Sequence, residues 1–205
     1  TLYSTYLGGS GTEIPLSMVV DQSNNVIVYG VTSSSNFPGI TSGNSAFSVF
    51  MGGSATTING IPFNGTDVFV AKFNTNGSEL MGATYMGGTE NDGINILNEP
   101  NYGREFRGEV FVDGMDHIFL ATNTLSETIQ GLEGSRNGPQ DGVLVRFSSD
   151  LSAMEWGKFI GGSEMDGVYG GIHHEGKIFV TGSTQSDDLP TSEESYQSTY
   201  QGNTD

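Results

Sequence analysis

The chain of 205 residues contains no cysteine, a single tryptophan and only 7 Lys+Arg against 24 Asp+Glu, for a net charge of −17. Without cysteine there can be no disulfide scaffold, thiol nucleophile or thiolate-bound zinc. The shortage of positive charge argues against nucleic acid, because phosphates are gripped by clustered Lys and Arg, and against anionic membrane surfaces. No apolar run approaches the roughly 20 residues of a spanning helix, so membrane insertion is not expected. Neither a Gly-x-Ser-x-Gly elbow nor a His-Glu-x-x-His pair occurs, which removes two common hydrolytic signatures. What the chain does have is glycine, 31 residues of it, about double the usual share. Its apolar content of 35% still supports a core.

The glycines mark a repeat. Tyr6-Leu7-Gly8-Gly9-Ser10, Tyr85-Met86-Gly87-Gly88-Thr89 and Phe159-Ile160-Gly161-Gly162-Ser163 share one pattern, spaced 79 and 74 residues apart (8 to 87, 87 to 161). A second pattern follows each: Val26 to Thr32, His117 to Asn123 and Lys177 to Ser183. A third, Asp67-Val68-Phe69-Val70-Ala71-Lys72-Phe73, is matched by Asp141-Gly142-Val143-Leu144-Val145-Arg146-Phe147. Short runs rich in Val, Ile and Phe, bounded by Gly, Asn, Asp and Ser, predict strands rather than helices. Met18-Val19-Val20 and Val110-Phe111-Val112 supply one more strand before the second pattern, joined to it by hairpin-turn residues. Each unit therefore reads as four strands, a to d, and the chain as all-β.

The third strand of a unit is apolar on both faces, with Ile118 and Leu120 on one and Phe119 and Ala121 on the other. A sheet with one wet face would alternate apolar with polar. Four-stranded sheets covered on both sides fit the blades of a β-propeller. The expected units are residues 1–80, with a long c–d loop at 33–66, then 81–152, then 153–205. The third lacks its last strand, since Asp205 aligns with Asp67 and Asp141 at the start of strand d. Two readings follow: a fragment of a longer chain, or a subunit completed by a neighbour's strand. Long insertions on one edge of a repeat are where binding surfaces are expected.

Tyr3 to Thr12, Val20-Asp21 with Asn24-Asn25-Val26, Asn36-Phe37-Pro38 and Asp67 to Phe73 resemble the bacterial SBBP repeat, the seven-bladed β-propeller repeat family. The resemblance spans the chain, with a departure in unit two, where residues 98–107 are an insertion and the Phe-Pro element is missing. It implies a secreted or cell-surface prokaryotic protein with other modules on a longer chain. It carries over no catalytic residue.

Candidate chemistry is sparse. The turns Glu90-Asn91-Asp92-Gly93 and Glu164-Met165-Asp166-Gly167 place oxygen donors beside glycine, as Ca²⁺ prefers, so Glu90, Asp92, Glu164 and Asp166 are the candidate calcium ligands. The same residues also serve as ordinary turn caps. His173 and His174 are adjacent and face opposite sides of a strand, a poor chelate. Tyr102 and Tyr169 are candidate sugar-stacking platforms, whereas Trp156 is expected between sheets. Lys72 and Arg146, at one equivalent position, predict a repeated contact with an acid. The Gly-Gly pairs predict close approach of neighbouring backbone.

The expectation is a non-catalytic extracellular module, structural or adhesive, that binds a partner protein or surface polysaccharide through rim loops. The alternatives are a carbohydrate-binding or carbohydrate-active propeller and a self-assembling fibre subunit.

Overall fold

Runs of β-branched and aromatic residues extend when both of their faces find apolar cover. The computed structural model, which describes residues 3–96 and 105–205, arranges them accordingly. Strands β1 (Glu13–Val20) and β2 (Val26–Thr32) form a hairpin. A long connection follows, carrying a small hairpin of its own, β3 (Ala55–Ile58) and β4 (Ile61–Asn64). The chain returns as β5 (Asp67–Phe73) and β6 (Leu80–Met86), completing an antiparallel sheet in the order β1-β2-β5-β6. The pattern repeats with β7 (Glu109–Val112), β8 (Ile118–Thr124), β9 (Asp141–Phe147) and β10 (Met154–Ile160), in the order β7-β8-β9-β10. A third sheet holds β11 (Asp166–His174) and β12 (Lys177–Thr184). No helix occurs among the described residues, so the fold is all-β.

Sheet and repeat unit are offset by one strand. The strand that opens each repeat unit joins the sheet of the unit before it: β6 pairs with β5, and β10 with β9. The reason is local, because only six residues separate Phe73 from Leu80 and Phe147 from Met154, a distance that suits a hairpin. Tyr3 to Ser10, expected as the equivalent strand of unit one, forms no strand. The described residues offer it no partner corresponding to β5 or β9, and Tyr6 is fully exposed. Asp205, in contrast, exchanges two backbone hydrogen bonds with Thr184 (2.8 and 3.0 Å). Asp67 and Asp141 face Thr32 and Thr124 in the same way.

The sheets stack face to face in chain order and close no ring or barrel among the described residues. Ile27, Tyr29, Val68 and Val70 of the first sheet pack against Val110, Ile118, Leu120, Val143 and Val145 of the second. The opposite face of the second sheet, with Phe111, Phe119, Ala121 and Leu144, packs against Val168 and Ile178 of the third, and Trp156 joins this layer. Every residue of β5 and of β8 is buried, as covering on both sides requires. The long connection of unit one covers the rear of the first sheet. Phe37 stacks on Phe69 at 4.4 Å, and Phe50 meets the edge of Tyr85. The Phe47 backbone carbonyl accepts from Tyr85 N–H (3.1 Å). Much of the expected binding loop is thus core cover, and its protruding part is the β3–β4 hairpin, turned by Asn59-Gly60 with positive φ at both.

Candidate functional site: paired carboxylates between sheets

The described residues bring their acids together at the strand ends where one sheet meets the next. Asp67, the first residue of β5, accepts from the backbone N–H groups of Met51 (2.7 Å) and Gly52 (3.0 Å). Asp92 accepts from Gly88 N–H (2.7 Å) and Ser126 Oγ (2.9 Å) at Oδ2, and from Thr124 Oγ1 at Oδ1. Both carboxylates crowd Gly87: a Cβ there would collide with Asp67 Oδ1 and lie 2.8 Å from Asp92 Oδ2. At the second junction Asp141 accepts from Asn137 N–H (2.8 Å) and Gly138 N–H (3.2 Å). Asp166 accepts from Gly162 N–H (2.6 Å) and Ser186 Oγ (2.8 Å). A Cβ on Gly161 would sit 2.6 Å from Asp141 Oδ1 and 2.9 Å from Asp166 Oδ2.

These contacts account for the glycine pairs. The first glycine makes room for two carboxylates. The second packs on a serine, since a Cβ on Gly9, Gly88 or Gly162 would lie 2.6 Å from Cβ of Ser34, Ser126 or Ser186 respectively. Side chains, rather than the neighbouring backbone alone, are what the glycines admit. The serine belongs to a Thr-x-Ser element in every unit, Thr32/Ser34, Thr124/Ser126 and Thr184/Ser186. In each, the threonine hydroxyl accepts from the serine N–H (2.9 to 3.0 Å). In unit one Glu13 takes the acid's place, accepting from Thr32 Oγ1 (2.9 Å) and Ser34 Oγ.

Burial without a countercharge raises the cost of ionising such groups. Burial pushes Asp67 up to about 7; the Met51 and Gly52 amides oppose the shift and the charge of Asp92 adds to it. Burial likewise pushes Asp92 up to about 6 against its hydroxyl and amide donors. Asp141 is raised by burial too, with the charge of Asp166 contributing.

Glu90 and Glu164 are exposed while Asp92 and Asp166 are buried, so the two acids of each turn do not converge. The buried oxygens are met mainly by N–H and O–H donors, which point their hydrogens where a cation would sit. Ca²⁺ needs 6–8 oxygen ligands around it, and the donor set does not fit it. Among the described residues no three of His, Asp and Glu come together as metal donors would.

The other candidates take structural positions. Lys72 Nζ lies 2.8 Å from Asp21 Oδ2 and donates to Ser149 O (2.8 Å) in the following unit. Burial raises the Asp21 carboxyl, but Lys72 and Asn25 together hold it below the usual carboxylate range. At the equivalent corner Arg146 Nε meets Glu155 Oε2 at 2.7 Å, and His117 Nδ1 pairs with Asp113 Oδ2 at 2.8 Å. Tyr169 carries the Arg107 guanidinium 5.2 Å above its ring, and its hydroxyl bonds Ser183 Oγ (2.6 Å), so one stacking face is taken. Tyr102 lies outside the described residues. A groove of about 530 Å³ runs beside the leading strands β1, β7 and β11. Its one charged lining residue is Glu109, which accepts from Ser17 Oγ (3.0 Å).

Compared with known proteins, the chain matches no family model and no curated protein.

Proposed function

We propose that the chain is a run of β-propeller blades of the SBBP-repeat kind, serving as a non-catalytic structural and adhesive module of a larger extracellular or cell-surface protein. The observation that carries the reading is the junction built twice from the same parts, a carboxylate pair, a Gly-Gly and a Thr-x-Ser. Such a device fixes one sheet on the next, its inner carboxylates taken up by backbone amides and hydroxyls. The strongly acidic composition keeps so large a surface soluble. The surface free to meet a partner protein or polysaccharide is the β3–β4 hairpin and residues 185–204, most of which are exposed.

The test is adhesion of beads coated with the chain to surface proteins and polysaccharides arrayed on a slide. Retention should be lost when the exposed tip of the hairpin, residues 57–61, is replaced by Gly and Ser, with the melting temperature held because the buried Phe63 is kept. Retention unchanged by that replacement and by alanines across 185–204 would refute the adhesive role. Turnover of an arrayed polymer would refute the non-catalytic one.

A further inference from the structure

Four Asn-Gly pairs occur in the chain: Asn59-Gly60, Asn64-Gly65, Asn76-Gly77 and Asn137-Gly138. An asparagine followed by glycine has a reaction of its own, because glycine carries no Cβ to shield its nitrogen. That nitrogen attacks Cγ of the asparagine and a C–N bond forms. The C–N bond of the side-chain amide breaks and ammonia leaves. Water then opens the cyclic imide at either carbonyl, giving aspartate or, with one more carbon in the backbone, isoaspartate. The ring closes only where the glycine nitrogen is free and the asparagine side chain has room to swing onto it.

Three of the pairs are held against this reaction. Gly138 is buried and its N–H donates to Asp141 Oδ1 (3.2 Å), while Asn137 N–H donates to Asp141 Oδ2 (2.8 Å). Gly77 N–H donates to Asn74 O (2.9 Å), and Asn76 Oδ1 is pinned by Ser78 N–H (3.1 Å) and Ser78 Oγ (2.6 Å). Gly65 is buried, and Asn64 is fixed opposite Ala55 at the end of the β3–β4 ladder. The space beside each of these glycines is also taken. A Cβ there would collide with Gly53 O at Gly65, with the Tyr3 ring at Gly77 and with Glu164 O at Gly138.

Asn59 and Gly60 differ on each count. Both are exposed, as the two-residue turn between the paired Ile58 and Ile61, so the Gly60 N–H lies outside the hairpin ladder. A Cβ on Gly60 would meet nothing within 4 Å. We infer that Asn59 is a site of spontaneous covalent modification, the one Asn-Gly pair that cyclises in the folded chain and passes to aspartate and isoaspartate. The product changes the character of its surroundings. Residues 22–66 contain no Asp, Glu, Lys, Arg or His, so conversion puts the first charge into that stretch, at the hairpin tip. Isoaspartate also lengthens a turn whose type admits two residues of set φ. The inference rests on the chemistry of the turn and stands apart from the adhesive role.

The test is incubation of the full chain in mildly alkaline buffer made with ¹⁸O-labelled water, followed by peptide mapping in a mass spectrometer. Ring opening by labelled water marks each converted asparagine. In urea that unfolds the chain, the four pairs should convert at comparable rates, because all then share the same exposed neighbour. In the folded chain Asn59 should convert at least about tenfold faster than the other three, which must first open locally. Asn59 left unconverted in the folded chain while the urea sample reacts overturns the inference. So does a folded chain in which Asn64, Asn76 or Asn137 keeps pace with Asn59.

Discussion

The two sheet-to-sheet junctions use the same parts and differ in how completely they are closed. At the first, Asp92 Oδ1 takes the Thr124 hydroxyl and Oδ2 takes an amide and a serine, so every acceptor is occupied. At the second, Asp166 Oδ1 is buried without a hydrogen-bond partner, and the Thr184 hydroxyl turns instead to Ser186 O (3.4 Å). The corners differ in the same sense. Lys72 reaches across to the next unit with its charge buried, whereas Arg146 pairs within its own sheet with Glu155, both partly exposed. The first junction is thus tied by buried polar groups whose loss leaves a partner stranded. The second depends more on apolar contact between Phe119, Val168 and Ile178.

The largest expected difference is at the corners. Lys72→Met leaves the Asp21 carboxylate buried and unpaired, and should cost about 3–5 kcal/mol. Arg146→Met should cost less, because the Arg146 and Glu155 side chains are both partly exposed. Equal losses in denaturant unfolding would erase the comparison. Next comes Gly87→Ala, which forces a methyl between two carboxylates and should cost roughly 3 kcal/mol, the upper end of overpacking. Gly161→Ala should cost less, since its contacts are longer.

The pH dependence sharpens the same point. Asp67 and Asp92 are raised above the ordinary 3.8, to about 7 and about 6. The stability associated with their protonation is therefore fully present below about pH 4 and is lost as pH rises through about 7. Unfolding free energy should decline over that window, as both carboxyls are forced to ionise inside the folded chain. Asp67→Asn should flatten the decline, as followed by urea melts between pH 4 and 8. The smallest effect separates the two threonines. Thr124→Val strands an oxygen of Asp92 and should cost about 1–3 kcal/mol. Thr184→Val, whose hydroxyl makes no bond to Asp166 Oδ1, should cost less than about 1 kcal/mol.

Much of this architecture is legible in the sequence, because a repeat writes its strands several times over. Val26–Thr32, Asp67–Phe73 and their counterparts stand where the patterns put them. The offset between unit and sheet is also written there, in the six-residue links 74–79 and 148–153, which are too short for anything but a hairpin. So is β3–β4, signalled by Asn59-Gly60 between Thr57-Ile58 and Ile61-Pro62. The site is harder to read. Thr-x-Ser recurs as plainly as Gly-Gly, but its link to an acid some 20 to 34 residues away depends on strand register. Acids in a glycine-bearing turn resemble calcium ligands until the burial of one and the exposure of the other are known. The contrast between Lys72 and Arg146 is likewise absent from the sequence, because it depends on which neighbouring turn each side chain reaches.

The central claim is that Asp67 and Asp92 are buried side by side at the first junction without a countercharge. It is tested most directly by ¹³C NMR titration of the aspartate carboxyl groups in the folded chain, with Asp67→Asn and Asp92→Asn assigning the signals. The account predicts that Asp67 and Asp92 titrate near 7 and 6, and that removing Asp92 lowers Asp67. Titration of both in the ordinary range near 3.8, unaffected by the partner's removal, would contradict it.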